Sequence, residues 1–192
     1  MIVVGAVLTG GASRRLGRDK ALEIVDGRPM AGIVAAALRA AACDEVIAIG
    51  GAIGALDATE SFDRVVDDAW PGEGPLGGIL TAFGVTDADV VLAFACDTPL
   101  VTDASPRSLL LALEDPDVDV AIGVVDGRDQ PLTAAWRRSP AFEVLRLAFE
   151  RGERAPRAVL PSLRVVRVEL AADEVADVDR PEDLARYHRT FR

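Results

Sequence analysis

The thirteen residues from Leu8 to Lys20, LTGGASRRLGRDK, join two adjacent glycines to four cations, Arg14, Arg15, Arg18 and Lys20. A glycine pair lets the backbone approach a ligand with no Cβ in the way. Successive amides in such a turn form a concave nest that accepts phosphate oxygens. A lysine and a guanidinium beside that nest offset the charge that builds during phosphoryl transfer. The competing reading is a solvated basic loop. The loop is not a GxxxxGK[ST] phosphate loop, because Lys20 stands between Asp19 and Ala21.

Two further stretches carry chemistry. Asp67-Asp68-Ala69-Trp70-Pro71 runs into Gly72-Glu73-Gly74-Pro75-Leu76-Gly77-Gly78. Gly72, Gly74 and Gly77 spell GxGxxG, but a dinucleotide fingerprint belongs on the first strand–helix turn, and Pro75 is awkward where backbone should hug a pyrophosphate. A plain Gly/Pro turn is the alternative. Ala95-Cys96-Asp97-Thr98-Pro99-Leu100 places a carboxylate at the end of an apolar run, suited to holding Mg²⁺ against substrate phosphates or to closing a turn. Cys96 reads as its buried neighbour. The single histidine, His188, reads as a surface residue, and one histidine cannot build a Ser-His-Asp or Cys-His arrangement.

The elements that must position these residues follow from the apolar pattern. Ile2–Leu8, Glu45–Ile49, Arg64–Val66, Val90–Ala95, Val118–Val124 and Arg164–Val168 are short, β-branched and continuous, as buried parallel strands are. Helical spacing is expected over Met30–Ala42, Leu76–Gly84, Ser108–Leu113, Phe142–Glu150 and Glu182–Arg189. Pro29 suits a first helical turn, Ser105-Pro106 a capped helix start, and Asp179-Arg180-Pro181-Glu182-Asp183 another. Alternating strands and helices predict an α/β fold, a Rossmann-like three-layer α/β/α sandwich on a mainly parallel sheet. No repeat or linker divides residues 1–192, so one domain is expected. Ligands of such sheets bind outside the carboxyl ends of the strands, which points to the loops after Ile2–Leu8, Arg64–Val66 and Val90–Ala95.

The chain has 192 residues, half of them hydrophobic, with 21 basic against 31 acidic side chains and a net charge of −10. That charge disfavours nucleic acid and anionic membrane surfaces, and it makes the cation-rich first loop stand out. Runs such as Val90 to Cys96 fall far short of the roughly 20 residues a bilayer requires. The N-terminus lacks the basic region of a signal peptide. Cys43 and Cys96 are too few for a disulfide framework and lack metal-ligand spacing. A soluble, cytoplasmic protein is expected.

LTGGASRRLGRDK resembles the LAGGxSxRMGxDK signature of the nucleotidyltransferase superfamily, and within it the MobA-like molybdenum cofactor guanylyltransferases. Thr9 replaces the usual alanine and Leu16 the usual methionine. The stretch from Asp68 to Gly78 is similar to the family's DxxPGxGPLGG, with neighbouring Asp67 as the alternative aspartate, and Cys96-Asp97-Thr98-Pro99 to its CDxP. Gln130-Pro131-Leu132 with Trp136, and Arg151-Gly152-Glu153-Arg154-Ala155-Pro156-Arg157, resemble its acceptor-side segments. Asp177-Val178-Asp179-Arg180-Pro181-Glu182-Asp183-Leu184 resembles its closing NxNTPEDL, with aspartates for asparagines as in sugar and cytidylyl relatives. Ile49-Gly50-Gly51 also departs, lacking an asparagine that guanylyltransferases often carry there.

The resemblance, which runs nearly the length of the chain, implies Mg²⁺-dependent transfer of GMP from GTP to a molybdopterin-type cofactor, with release of pyrophosphate. Leu8, Thr9, Gly10, Gly11, Lys20, Asp68 and Asp97 are then expected at the nucleotide, with the Gly10, Gly11 and Ala12 amides cradling phosphates. Arg15, Lys20 and Asp97 are the implied catalytic residues, Asp97 and Asp179 the metal ligands, and Gly77, Gly78, Gln130 and Arg154 the acceptor side. Cofactor-handling proteins are the implied partners. A cytidylyltransferase for the same cofactor, a phospholactate guanylyltransferase and a sugar-phosphate nucleotidyltransferase share these loops, and a nucleotide-sensing module without chemistry is a second class.

Overall fold

A computed structural model of the chain describes residues 1–10 and 19–178. After β1 (Val3–Leu8), a 3₁₀ turn (Lys20–Leu22) leads into the hairpin β2 (Ile24–Val25) and β3 (Arg28–Pro29). Then come α1 (Met30–Ala40), β4 (Glu45–Ile49), α2 (Ile53–Asp57), β5 (Arg64–Val66), α3 (Pro75–Gly84), β6 (Val90–Ala95) and α4 (Ala104–Ala112). The described chain ends with β7 (Val120–Val125), β8 (Arg128–Arg137), α5 (Arg138–Glu150), a second 3₁₀ segment (Pro156–Ser162) and β9 (Val165–Glu169).

Every residue of β1 is buried, so both faces of this strand must be covered. Alternation assigns each side chain to one face. Val4, Ala6 and Leu8 join Ile47 and Ile49 of β4 and Val91 and Ala93 of β6 against α3 and α5. Val3 and Val7 join Val46, Ala48, Val90, Leu92 and Phe94 against α1 and α4. Those two cores make the three expected layers. The sheet has seven strands in the order β5-β4-β1-β6-β8-β7-β9. All neighbours run parallel except β8, which is antiparallel to both β6 and β7.

The parallel strands match the apolar runs, and β8 is the element the runs do not reveal. Its first half, Arg-Asp-Gln-Pro-Leu, is polar and holds a proline. Pro131 is tolerated because the pairing with β7 shifts register between Ile122 and Gly123, so no ladder bond depends on its missing N–H. Two helix starts also differ. α4 begins at Ala104, with Asp103 rather than Ser105 at its N-cap position, and α5 begins at Arg138 with an extended break at Ser139. Pro29 stands just before α1, as its N-cap residue, where the sequence places it. The helix expected over Glu182–Arg189 lies outside the described residues.

The edge of the sheet where parallel strands begin is acidic for a structural reason. Asp44, Asp63, Asp89 and Asp119 stand just before β4, β5, β6 and β7. Their carboxylates accept the N–H of Val3, Val46, Ile2 and Arg164 respectively, at 2.7–2.8 Å, each group lying on the adjacent strand or just before it. Each aspartate thus satisfies a donor that has no ladder partner. Asp119 is buried, and hydrogen bonds from Arg164 hold its carboxyl below the usual carboxylate range.

Candidate functional site

At the opposite edge, where the parallel strands end, lies a cleft of about 1070 Å³. Its floor is built by the ends of β1, β4 and β6. The Thr9 and Gly10 N–H groups both donate to the Ile49 carbonyl at 3.0 Å. The buried Thr9 hydroxyl donates to the Ile49 and Gly50 carbonyls at 3.0 and 2.8 Å, a tether that alanine cannot provide. The loop therefore leaves β1 pinned to β4. The Gly10 amide is committed to this anchor, which corrects its expected role in the phosphate cradle. Gly11, Ala12 and Arg15, the remaining parts of that cradle and its catalytic arginine, lie outside the described residues.

The structure separates the two candidate aspartates after β5. Asp68 lines the cleft, whereas Asp67 is exposed and does not. Asp68 Oδ1 accepts from the Thr81 hydroxyl and the Trp70 N–H, both at 3.0 Å. Its Oδ2 lies 3.7 Å from where a Gly10 Cβ would stand, so it looks across at the end of β1.

Lys20 and Asp97 meet in the middle. Lys20 Nζ lies 3.3 Å from Asp97 Oδ2, with side-chain exposures of only 15 and 22%. Asp19 fixes this lysine by capping its 3₁₀ turn, accepting from Ala21 N at 3.0 Å, and by accepting from Ala52 N at 3.1 Å on the way into α2. Burial raises the Asp97 carboxyl above its ordinary value, Lys20 opposes that rise, and the charge of Asp177 adds to it. Asp177 reaches this position because Val178 N donates to the Asp97 carbonyl at 2.9 Å, while the Val178 side chain is buried with Val25, Met30 and Ile33. The sequence pattern Asp-x-Asp pointed to Asp179, which lies outside the described residues together with His188; its first aspartate, Asp177, lines the cleft, and its charge acts on Asp97. Among the described residues no three His, Cys, Asp or Glu side chains cluster as a metal site, so the available donors are the two carboxylates Asp97 and Asp177. Cys96 also touches the cleft, yet burial pushes its thiol up to about 12, which rules out a thiolate nucleophile at neutral pH.

The MobA-like NTP transferase domain matches residues 5–167, a span that includes every wall of this cleft but its last segment. The chain belongs to that family. Several relatives match over nearly their whole lengths. A protein of Methanothermobacter thermautotrophicus named probable molybdenum cofactor guanylyltransferase is 32% identical over 93% of this chain and 95% of its own. One of the same name from Deinococcus radiodurans is 35% identical over 95 and 92%. Molybdopterin-guanine dinucleotide biosynthesis protein A of Archaeoglobus fulgidus has the same fold, with a TM-score of 0.79, 98% of each chain covered and 23% identity.

This MobA-like domain brings most of the expected residues together. Leu8, Thr9, Gly10, Lys20, Asp68, Gly78, Asp97 and Gln130 all line the cleft. Gly77 does not. A Cβ there would stand 3.2 Å from Trp70 Cβ and 3.5 Å from the Phe149 ring, so it is a packing position. Arg154 also lies outside the lining. Its guanidinium stacks 4.2 Å from the Phe149 ring centroid, pairs with Glu73 and donates to the Phe149 and Glu153 carbonyls. Its own carbonyl accepts from Leu76 N at 3.1 Å, so Arg154 braces the start of α3. The residues that the motifs missed are Val125, Asp126 and Arg128 at the β7–β8 turn, and Ala172 and Val175 beyond β9; Asp177 stood in the closing motif but was not singled out there.

No helix among the described residues is long and apolar enough to cross a membrane.

Proposed function

We propose that this domain transfers GMP from GTP to the terminal phosphate of a molybdopterin-type cofactor, forming the guanine dinucleotide and releasing pyrophosphate. The observation that carries the reading is the Lys20–Asp97 pair at the centre of the cleft, in a chain that matches two proteins named probable molybdenum cofactor guanylyltransferase over more than nine-tenths of both lengths.

An oxygen of the acceptor phosphate attacks the α-phosphorus of GTP in line, and the bond to the β-bridging oxygen breaks as pyrophosphate leaves. This chemistry asks for positioning and charge stabilisation rather than a protein nucleophile. The tethered end of β1 and Asp68 hold the nucleotide side. Lys20 supplies the positive charge that offsets what builds on the transferring group and on pyrophosphate. Asp97 and Asp177 fit Mg²⁺ as a donor set, since that ion usually takes one or two carboxylates together with substrate phosphates. When bound, the ion supplies further stabilisation of the developing charge. Asp179, two residues beyond Asp177, is an additional candidate ligand, and Arg15 an additional cation.

The test is pyrophosphate release from GTP, CTP, ATP and UTP, each with molybdopterin and Mg²⁺. Release from GTP alone is expected, and a preference for another base overturns guanylyl transfer. Asp97→Ala should keep the native circular dichroism spectrum and lose turnover by about 100-fold or more. Normal turnover in that variant removes Asp97 from the mechanism.

A further inference from the structure

β8 is reversed relative to its neighbours, so its first residues lie where the other strands end. Phe94, near the end of β6, pairs with Thr133, so the part of β8 before Thr133 runs on beyond β6. Measured on β7, which advances three residues from Ile122, opposite Ala134, to Val125, opposite Arg128, the hairpin carries its turn about 10 Å further, as an overhang above the cleft. Asp126 and Gly127, both at positive φ, close the turn, and Arg128 begins β8.

Alternation along the overhang separates its charges. Asp129 faces away from the cleft and accepts from Arg167 Nε and Nη2 at 2.8 and 3.1 Å, while its carbonyl accepts from Arg157 Nη2 at 3.2 Å. Those two arginines brace the hairpin against β9 and the second 3₁₀ segment. Arg128 and Gln130 share the other face, and both line the cleft. Lys20 and Arg128 are the two cations among the described lining residues, and Lys20 is paired with Asp97. Arg128 is exposed and makes no side-chain ion pair or hydrogen bond with any described residue. Asp126 lines the same rim, so the rim is not uniformly basic.

We propose that Arg128, projecting from the overhanging β7–β8 hairpin, captures the phosphate of the acceptor and thereby sets acceptor affinity, the role that Arg154 cannot fill because its guanidinium is already engaged. The inference rests on the proposed transfer reaction and names the residue that receives its second substrate. The position fits the class of ligand. The nucleotide side of the cleft is formed at β1, β4 and β5, whereas the hairpin lies on the far side of β6, two to three strand spacings from β1, or about 10–14 Å. A planar fork with no side-chain partner among the described residues is suited to bidentate capture of a phosphomonoester.

The experiment is steady-state transfer of GMP from GTP to molybdopterin by the full chain, with each substrate varied separately, comparing wild type with Arg128→Ala, Arg128→Lys and, as a control for lost surface charge, Arg146→Ala. Loss of a charge-assisted bidentate contact should raise the acceptor KM about 10- to 100-fold in Arg128→Ala, with the GTP KM changed less than about twofold. Arg128→Lys should recover part of the loss, because a lysine keeps the charge but not the fork. An unchanged acceptor KM with active wild type overturns the assignment and leaves the proposed reaction standing. A rise in the GTP KM instead moves Arg128 to the triphosphate and also overturns it. A wild type that transfers nothing to molybdopterin overturns both readings.

Discussion

Gly74 is a sharp test of how the cleft wall is built. It precedes α3 with φ +86° and ψ 172°, a region that only glycine occupies without strain. A Cβ at Gly74 would stand 2.9 Å from the Arg154 carbonyl oxygen and 3.1 Å from Arg154 Cβ. That carbonyl cannot retreat freely, because Leu76 N donates to it at 3.1 Å and so starts the helix. Backbone strain of about 1–3 kcal/mol and overpacking of about 1–3 kcal/mol together put Gly74→Ala near 4 kcal/mol. Gly72 is the internal control. Its φ is also positive, at +81°, but nothing lies within 4 Å of its Cβ position. Gly72→Ala should therefore cost about 1–2 kcal/mol, from conformation alone. At about 2–4 °C per kcal/mol for a chain of this length, Gly74→Ala should melt roughly 5–10 °C below Gly72→Ala. Thermal unfolding followed by circular dichroism, with both variants in one buffer, reads that difference. If the two melt within about 2 °C of one another, the Arg154 carbonyl is not the wall this reasoning makes it.

Two further outcomes concern the frame behind the site. Arg138 donates to the Phe83, Thr86 and Ala88 carbonyls at 2.6–2.8 Å and lies over the Phe83 and Phe142 rings, so it closes the end of α3. Arg138→Lys loses the fork and should cost about 2 kcal/mol in urea unfolding, whereas Arg146→Lys, in an exposed helical ion pair, should leave the urea midpoint unchanged. The buried Asp119 carboxyl is held below its ordinary value, so its contribution to stability is present above the unfolded value of about 4 and is lost as pH falls through the lower folded value. Asp119→Asn should flatten the acid-side decline in melting temperature below about pH 4 and lower stability at neutral pH, and an unaltered acid limb would refute that linkage.

The legible and illegible parts of the molecule divide along one physical line. The central parallel strands are buried on both faces and the runs of Glu45–Ile49, Arg64–Val66 and Val90–Ala95 are short and apolar-rich, so these three have the boundaries that their composition suggests. The Gly-rich turn, Asp68 and Asp97 were readable because each follows such a strand directly. β8 was not, because its exposed half is polar and its Pro131 argues against a strand unless a register shift is known beforehand. Arg128 escaped with it. Arg154 misled for the opposite reason: its setting beside other arginines suggests a free cation, and only packing shows the Phe149 ring and Glu73 that occupy it. Asp177 and Asp179 belong to one Asp-x-Asp motif, in which the family resemblance pointed to Asp179, a residue outside those described. The choice of Asp177 among described residues comes from the Val178–Asp97 bond.

Charge shows why the location of residues outweighs their count. A net charge of −10 argues against an anionic ligand if it is smeared over the whole surface. Asp44, Asp63, Asp89 and Asp119, however, sit at the beginnings of the strands, where they satisfy N–H donors of adjacent strands. The cleft opens at the strand ends, and six residues of β1 put about 20 Å between the two edges. That is more than two Debye lengths at physiological ionic strength, so these four carboxylates are largely screened from a phosphate in the cleft. Among the described residues, the charges that line the cleft are Lys20 and Arg128 and the acids Asp68, Asp97, Asp126 and Asp177. Among those acids, Asp97 has its carboxyl raised chiefly by burial, with Lys20 opposing the rise and the charge of Asp177 adding to it. The acidity at the strand starts therefore serves the fold, and the acidity at the strand ends lines the cleft, where the proposed transfer would use it.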